Sequence, residues 1–98
     1  TLILPLRKNV DIAPSVTKNQ NTLGIRIPNH WIAESVKKYG KPFITTSLNI
    51  TGQPHCKRPE NMPETLRSYV TTCINQGFLD NGPSIIYDCT GVSPKRIR

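Results

Sequence analysis

Residues 22–46 constrain this chain most, because the hydrophobic period changes twice within them. Thr22-Leu23-Gly24-Ile25-Arg26-Ile27-Pro28 alternates apolar Leu23, Ile25 and Ile27 with Gly24 and Arg26, the period-two pattern of a strand that buries one face. Asn29 can then cap a helix over residues 30–39, in which Ile32, Val36 and Tyr39 share a face. Gly40 supplies the stop, and Lys37 and Lys38 stand where the helix dipole favours cations. His30 and Trp31 read as packing or capping residues. Residues 41–46 read as the next strand. Strand, helix and strand in that order make a parallel pair with a right-handed crossover, so the class is α/β.

The remaining elements follow from the same signals. Residues 1–6 are an apolar strand stopped by Pro5, and residues 7–21 are a polar loop that Val10, Ile12 and Val16 can pin. Asn61 and Glu64 form a capping box around Pro63, which predicts a second helix to about Asn75 with Leu66, Val70, Cys73 and Ile74 on its core face. Asn81-Gly82-Pro83 is a turn, residues 84–89 are a strand, and Thr90-Gly91 breaks it. In an extended tail Arg96 and Arg98 share a face.

Ninety-eight residues allow one domain whose core buries about 60 to 65% of the unfolded surface. Thirteen Lys and Arg against six Asp and Glu leave a net charge of +7, which favours phosphate-bearing partners over cationic ones. Cys56, Cys73 and Cys89 are widely spaced with no C-x-x-C, which argues for reduced thiols over a disulfide framework or a structural zinc. His55, Cys56 and Cys89 are too thin a set for a metal site. No apolar run approaches a membrane span and the N-terminus has no charged signal-peptide region, so the expectation is a cytoplasmic protein with no membrane partner.

Thr45-Thr46-Ser47-Leu48-Asn49-Ile50-Thr51-Gly52-Gln53-Pro54 is the stretch most suited to a ligand. A strand end that delivers hydroxyls and a carboxamide into a Gly- and Pro-stopped turn presents donors and acceptors on a rigid base. An ordinary Ser/Thr/Asn loop has the same composition. Arg26 likewise reads either as a solvated strand cation or as a fork for a carboxylate or phosphate.

Three separated pieces agree in order and spacing with one family. Thr22-Leu23-Gly24-Ile25-Arg26-Ile27-Pro28-Asn29-His30, then Gly40-Lys41-Pro42 leading to Thr46-Ser47-Leu48-Asn49-Ile50-Thr51-Gly52, then Pro83-Ser84-Ile85-Ile86-Tyr87-Asp88, resemble the YrdC-like threonylcarbamoyl-AMP synthases. The resemblance implies a YrdC-like twisted open mixed sheet with flanking helices. It also implies an enzyme, a nucleotidyltransferase, that makes threonylcarbamoyl-adenylate and pyrophosphate from L-threonine, bicarbonate and ATP for t6A modification of tRNA. Carried over by motif, Thr22, Ser47, Asn49 and Arg98 fall on the ATP side, and Arg26, Thr45 and Ser84 on the threonine side. The resemblance assigns no catalytic nucleophile. ATP enters as substrate and carries its own magnesium, since no carboxylate cluster is visible. tRNA or the downstream threonylcarbamoyl transferase are further partners it implies.

The chain also departs from that pattern. The family's Lys-x-Arg element, which precedes the strand at Thr1, is missing; Lys57-Arg58-Pro59 follows the Ser-x-Asn motif and does not replace it. His55 stands where a small hydroxyl residue is common, and Thr51 replaces the usual serine. With family domains about twice as long, residues 1–98 are expected to be the C-terminal half of one domain, inactive as an isolated fragment. Two other readings remain open: the YrdC-like domain of a hydrogenase-maturation carbamoyltransferase, and a non-catalytic RNA-binding module using the positive charge.

Overall fold

The computed structural model describes Thr1–Arg98 throughout. The chain divides into two units, the first built from Thr1–Ile44 with Ser84–Arg98 and the second from Thr45–Pro83.

The first unit is a mixed four-stranded sheet in the order β2-β1-β3-β4, with β1 Leu2–Pro5, β2 Thr22–Ile25, β3 Tyr87–Asp88 and β4 Lys95–Arg96. Its helices are α1, the single turn Pro14–Thr17, and α2, Trp31–Tyr39. This is the α/β class the sequence predicts. Leu2-Ile3-Leu4 takes the centre because it is the most continuous apolar run and needs neighbours on both sides. It pairs antiparallel with β2, Leu2 facing Ile25 and Pro5 facing Thr22. On its other edge it pairs parallel with β3, Leu2 facing Tyr87 and Ile3 facing Asp88. Pro5 lies inside the strand as its last residue, where its missing N–H costs least.

α2 begins one residue later than expected, because His30 and not Asn29 is the cap. His30 Nδ1 accepts from the Ile32 amide at 3.4 Å. Gly40 ends the helix at φ 75°, donating to the carbonyls of Val36 and Lys37. α1 arises where the sequence reads as loop, since Pro14 at its first position presets φ for a helical turn.

Residues 41–46 are not a strand. Pro42 supplies no donor, the Phe43 ring turns back to Tyr39 with centroids 5.3 Å apart, and Ile44 remains 82% exposed, so no ladder forms. The parallel pair is therefore β1 with β3, and the strand, helix, strand unit predicted over residues 22–46 is absent.

The second unit contains the 3-10 turn Pro59–Asn61 and α3, Glu64–Arg67. α3 is far shorter than the helix expected to Asn75, because Val70-Thr71-Thr72 places three β-branched side chains where the helix would continue. Cys73 is consequently exposed, not core. The capping box is also not formed: Pro63 is the cap residue, and Glu64 turns to Arg67 Nε at 3.1 Å. Met62, 8% exposed, is the chain's one buried apolar side chain.

The chain leaves 8800 Å² in water. Against about 16,000 Å² for the unfolded chain, that is about 45% buried, short of the expected 60 to 65%. The apolar residues are the reason: many stand in turns and links, as Ile27 does at 84% exposure, where no second layer meets them. No helix is long and apolar enough to cross a membrane.

β3 ends in a local lock. Thr90 donates its hydroxyl (2.6 Å) and its amide (2.9 Å) to Asp88 Oδ1. The hydroxyl bond, then the amide bond, with Lys95 adding attraction, hold the Asp88 carboxyl below its ordinary value. A carboxyl that titrates lower in the folded state contributes stability above the unfolded value near ~3.9, and that contribution is lost as pH falls through the folded value. In Thr90→Val the Asp88 midpoint, followed by carboxyl NMR, is expected to move upward toward the ordinary value; an unmoved midpoint would contradict this account.

Candidate functional site

Arg26 follows β2 directly. The strand ends at Ile25, so Arg26 is not held by the ladder on the face opposite Ile25 and Ile27, as the alternation suggested. It lies in the link to α2, on a shallow groove of about 440 Å³ bordered by Thr1 and Leu2 on one side and by Ile25, Ile27, Pro28 and Asn29 on the other. An exposed guanidinium beside apolar walls suits a small amphiphile with a carboxylate, because the fork binds the anion while the walls shelter the rest.

The same unit gathers Thr1, Ser84 and Arg98. Thr1 Oγ1 and Ser84 Oγ share a partly buried hydrogen bond of 2.7 Å. Arg98 Nε donates to the Ser84 carbonyl at 3.4 Å, and the Arg98 backbone pairs with Ile86 as the β3–β4 ladder runs on. Ser84 and Arg98, assigned by motif to different substrates, are thus neighbours. Thr22 stands at the opposite end of β2, against Pro5, about 13 Å along the strand from Arg26 at ~3.3 Å per residue. It does not border the groove.

Thr45, Ser47 and Asn49 belong to the second unit. The expected strand end does not exist there; a turn does its work. The Gln53 amide bonds the Ile50 carbonyl (2.9 Å) and the Cys56 amide bonds the Leu48 carbonyl (2.8 Å), with Gly52 at φ 84°. Asn49 is the keystone, its Nδ2 donating to the carbonyls of Ile50 (3.0 Å) and Gln53 (3.2 Å), while its Oδ1 receives the Ser47 hydroxyl. Asn49 is therefore largely spent on the turn. Ser47 remains exposed with acceptor capacity to spare, and Thr45 is exposed before it.

Charge separates the units sharply. Ten of the thirteen cations and three of the six anions lie in the first unit, three of each in the second, so the whole net charge of +7 belongs to the first. Both ion pairs, Lys57 with Asp80 and Arg67 with Glu64, lie in the second. Lys57 and Arg58 also stand over the Phe78 ring, 5.7 and 5.2 Å from its centroid. Lys57-Arg58 is thereby committed to holding residues 78–80, not presented as a free anion clamp. The second unit's own depression, about 290 Å³ beside Met62, Arg67 and Cys73, contains none of the residues assigned to ATP or threonine.

Sequence reasoning passed over Thr1. Its only signal was a hydroxyl residue opening an apolar strand, and its partner lies 83 positions away.

Comparison with known proteins adds the following. The model of a family named Sua5, YciO and YrdC, described as telomere recombination, matches residues 1–98. A threonylcarbamoyl-AMP synthase of Bacillus subtilis is 31% identical over 85 residues, 86% of this chain and 23% of that protein. One of Photobacterium profundum is 28% identical over 75 residues, 76% of this chain and 40% of that protein. The uncharacterized protein YciO of Escherichia coli is 29% identical over 83 residues, 83% of this chain and 40% of that protein. The chain thus spans less than half the length of these curated relatives. No solved structure is significantly similar to it.

The turn geometry separates two adjacent site residues. Asn49→Ala is expected to speed amide exchange at Gln53 and Cys56 by about ten- to a hundredfold, the net stabilisation of the two Nδ2 hydrogen bonds it removes. Ser47→Ala should leave both amides near the parent rate. Equal effects from the two substitutions would remove Asn49 from its structural role.

Proposed function

This chain belongs to the Sua5, YciO and YrdC family, and from that membership we propose that it carries binding residues of a threonylcarbamoyl-AMP synthase. The observation that carries the reading is Arg26 on its groove, in a unit that bears the entire net charge of +7. Two relatives bear that enzyme's name.

In the proposed reaction the amine of L-threonine and bicarbonate give a carbamate and water. A carbamate oxygen then bonds to the α-phosphorus of ATP as the α–β phosphoanhydride bond breaks, and pyrophosphate leaves. No covalent nucleophile is needed; anions must be brought together and their charge spread, which is work for positioned cations and hydroxyls. Arg26 would fork onto the threonine carboxylate, with Ser84 in the same unit; Thr45, in the second unit, is assigned to threonine by motif alone. Thr22, Ser47 and Arg98 would serve the nucleotide, and Asn49 would act mainly through the turn that presents Ser47. The donor set offers no group of three His, Cys, Asp or Glu side chains for a metal ion. The magnesium expected with ATP would enter as part of that substrate. The adenylate would pass to a transferase acting on tRNA in the cytoplasm.

The reading is tested in the natural protein that carries these residues. Pyrophosphate release from ATP should require L-threonine and bicarbonate, and carbamoyl phosphate should not replace them. In Arg26→Ala the threonine concentration for half-maximal rate should rise about ten- to a hundredfold, the worth of a charged hydrogen bond, with ATP dependence little changed. Unaltered threonine dependence would remove Arg26 from the site, and a response to carbamoyl phosphate would reassign the substrate.

A further inference from the structure

Thr1 is held through its hydroxyl and its backbone. Its Oγ1 shares a hydrogen bond of 2.7 Å with Ser84 Oγ. The Thr1 nitrogen donates to the Ile85 carbonyl at 2.8 Å, and the Thr1 carbonyl accepts from the Tyr87 amide at 3.0 Å, which fixes the backbone as well. A β-branched side chain on a fixed backbone, with its hydroxyl bonded, is restricted at χ1.

This residue also borders the groove on which Arg26 lies. The geometry points to Thr1 as a positioning residue for the amino-acid side of the site: it sets the Ser84 hydroxyl in a fixed direction relative to the Arg26 groove. A lone serine hydroxyl can take three rotamers, and selecting one in advance reduces the ordering cost of binding. The inference rests on the substrate reading above, but its geometric half stands apart from it.

Two substitutions divide the side chain into its functions. Thr1→Val keeps the branched shape and removes the hydroxyl; Thr1→Ser keeps the hydroxyl and removes the methyl. Without any substrate, three-bond couplings of the Ser84 β-protons should report one rotamer in the parent and in Thr1→Ser, and averaging in Thr1→Val. In threonine-dependent pyrophosphate release, Thr1→Val should raise KM for threonine severalfold while KM for ATP and kcat hold, and Thr1→Ser should restore the parent value. A single Ser84 rotamer in Thr1→Val overturns the positioning role whatever the activity. Averaged rotamers with an unchanged threonine KM overturn its bearing on binding. If the parent protein releases no threonine-dependent pyrophosphate, the substrate reading fails alone, and the couplings still decide whether Thr1 sets Ser84.

Discussion

Almost everything ordered in the first unit depends on one four-residue strand having two different neighbours. β1 is antiparallel to β2 and parallel to β3, and β4 joins the sheet only through β3. A slip of one residue along either edge would turn Leu2 and Leu4 to the face now held by Ile3. It would also carry Thr1 away from Ser84 and shift the border of the Arg26 groove. The candidate site is thus a property of register before it is a property of any side chain. The hydroxyl pair at its edge exists only because the pairing of β1 with β3 is correct.

Electrostatics divide the labour between the two units. In the second, cations and anions are equal in number, and they are largely used to tie loops: Lys57 to Asp80, Arg67 to Glu64, Lys57 and Arg58 onto Phe78. Such exposed pairs contribute little stability each. In the first, ten cations stand without an ion pair. Like charges in that density repel one another, a standing cost that an anionic ligand would relieve.

How much of this was legible in the sequence depends on how far each interaction reaches along the chain. The first part of β2, the Gly40 stop and the Gly52 turn are readable because each is settled within a few residues, whereas the α/β class holds through a parallel pair, β1 with β3, other than the one the local pattern suggests. The helix expected to Asn75 failed because its apolar spacing was right while Val70-Thr71-Thr72 opposed it, and no second layer was present to overrule that local preference. The strand over residues 41–46 failed for the opposite reason: its propensity was adequate but no ladder partner existed. Ser47 and Asn49 were picked out correctly as a polar turn, yet only the coordinates separate the residue that builds the turn from the one left free. The Thr1–Ser84 bond had no local signature at all.

The long reach of that bond has a consequence in time. The parallel partner of β1 lies 85 positions further along, since Leu2 pairs with Tyr87. At about 5 to 20 residues per second of synthesis, roughly 4 to 17 s separate the emergence of β1 from that of β3. During that interval Leu2-Ile3-Leu4 can close its antiparallel edge with β2 but carries an open parallel edge, the kind of surface that invites pairing with other chains. Contacts of such sequence separation also slow folding after synthesis ends. Until β3 arrives and pairs, the free edge of β1 is therefore the part of this sheet most open to wrong pairing.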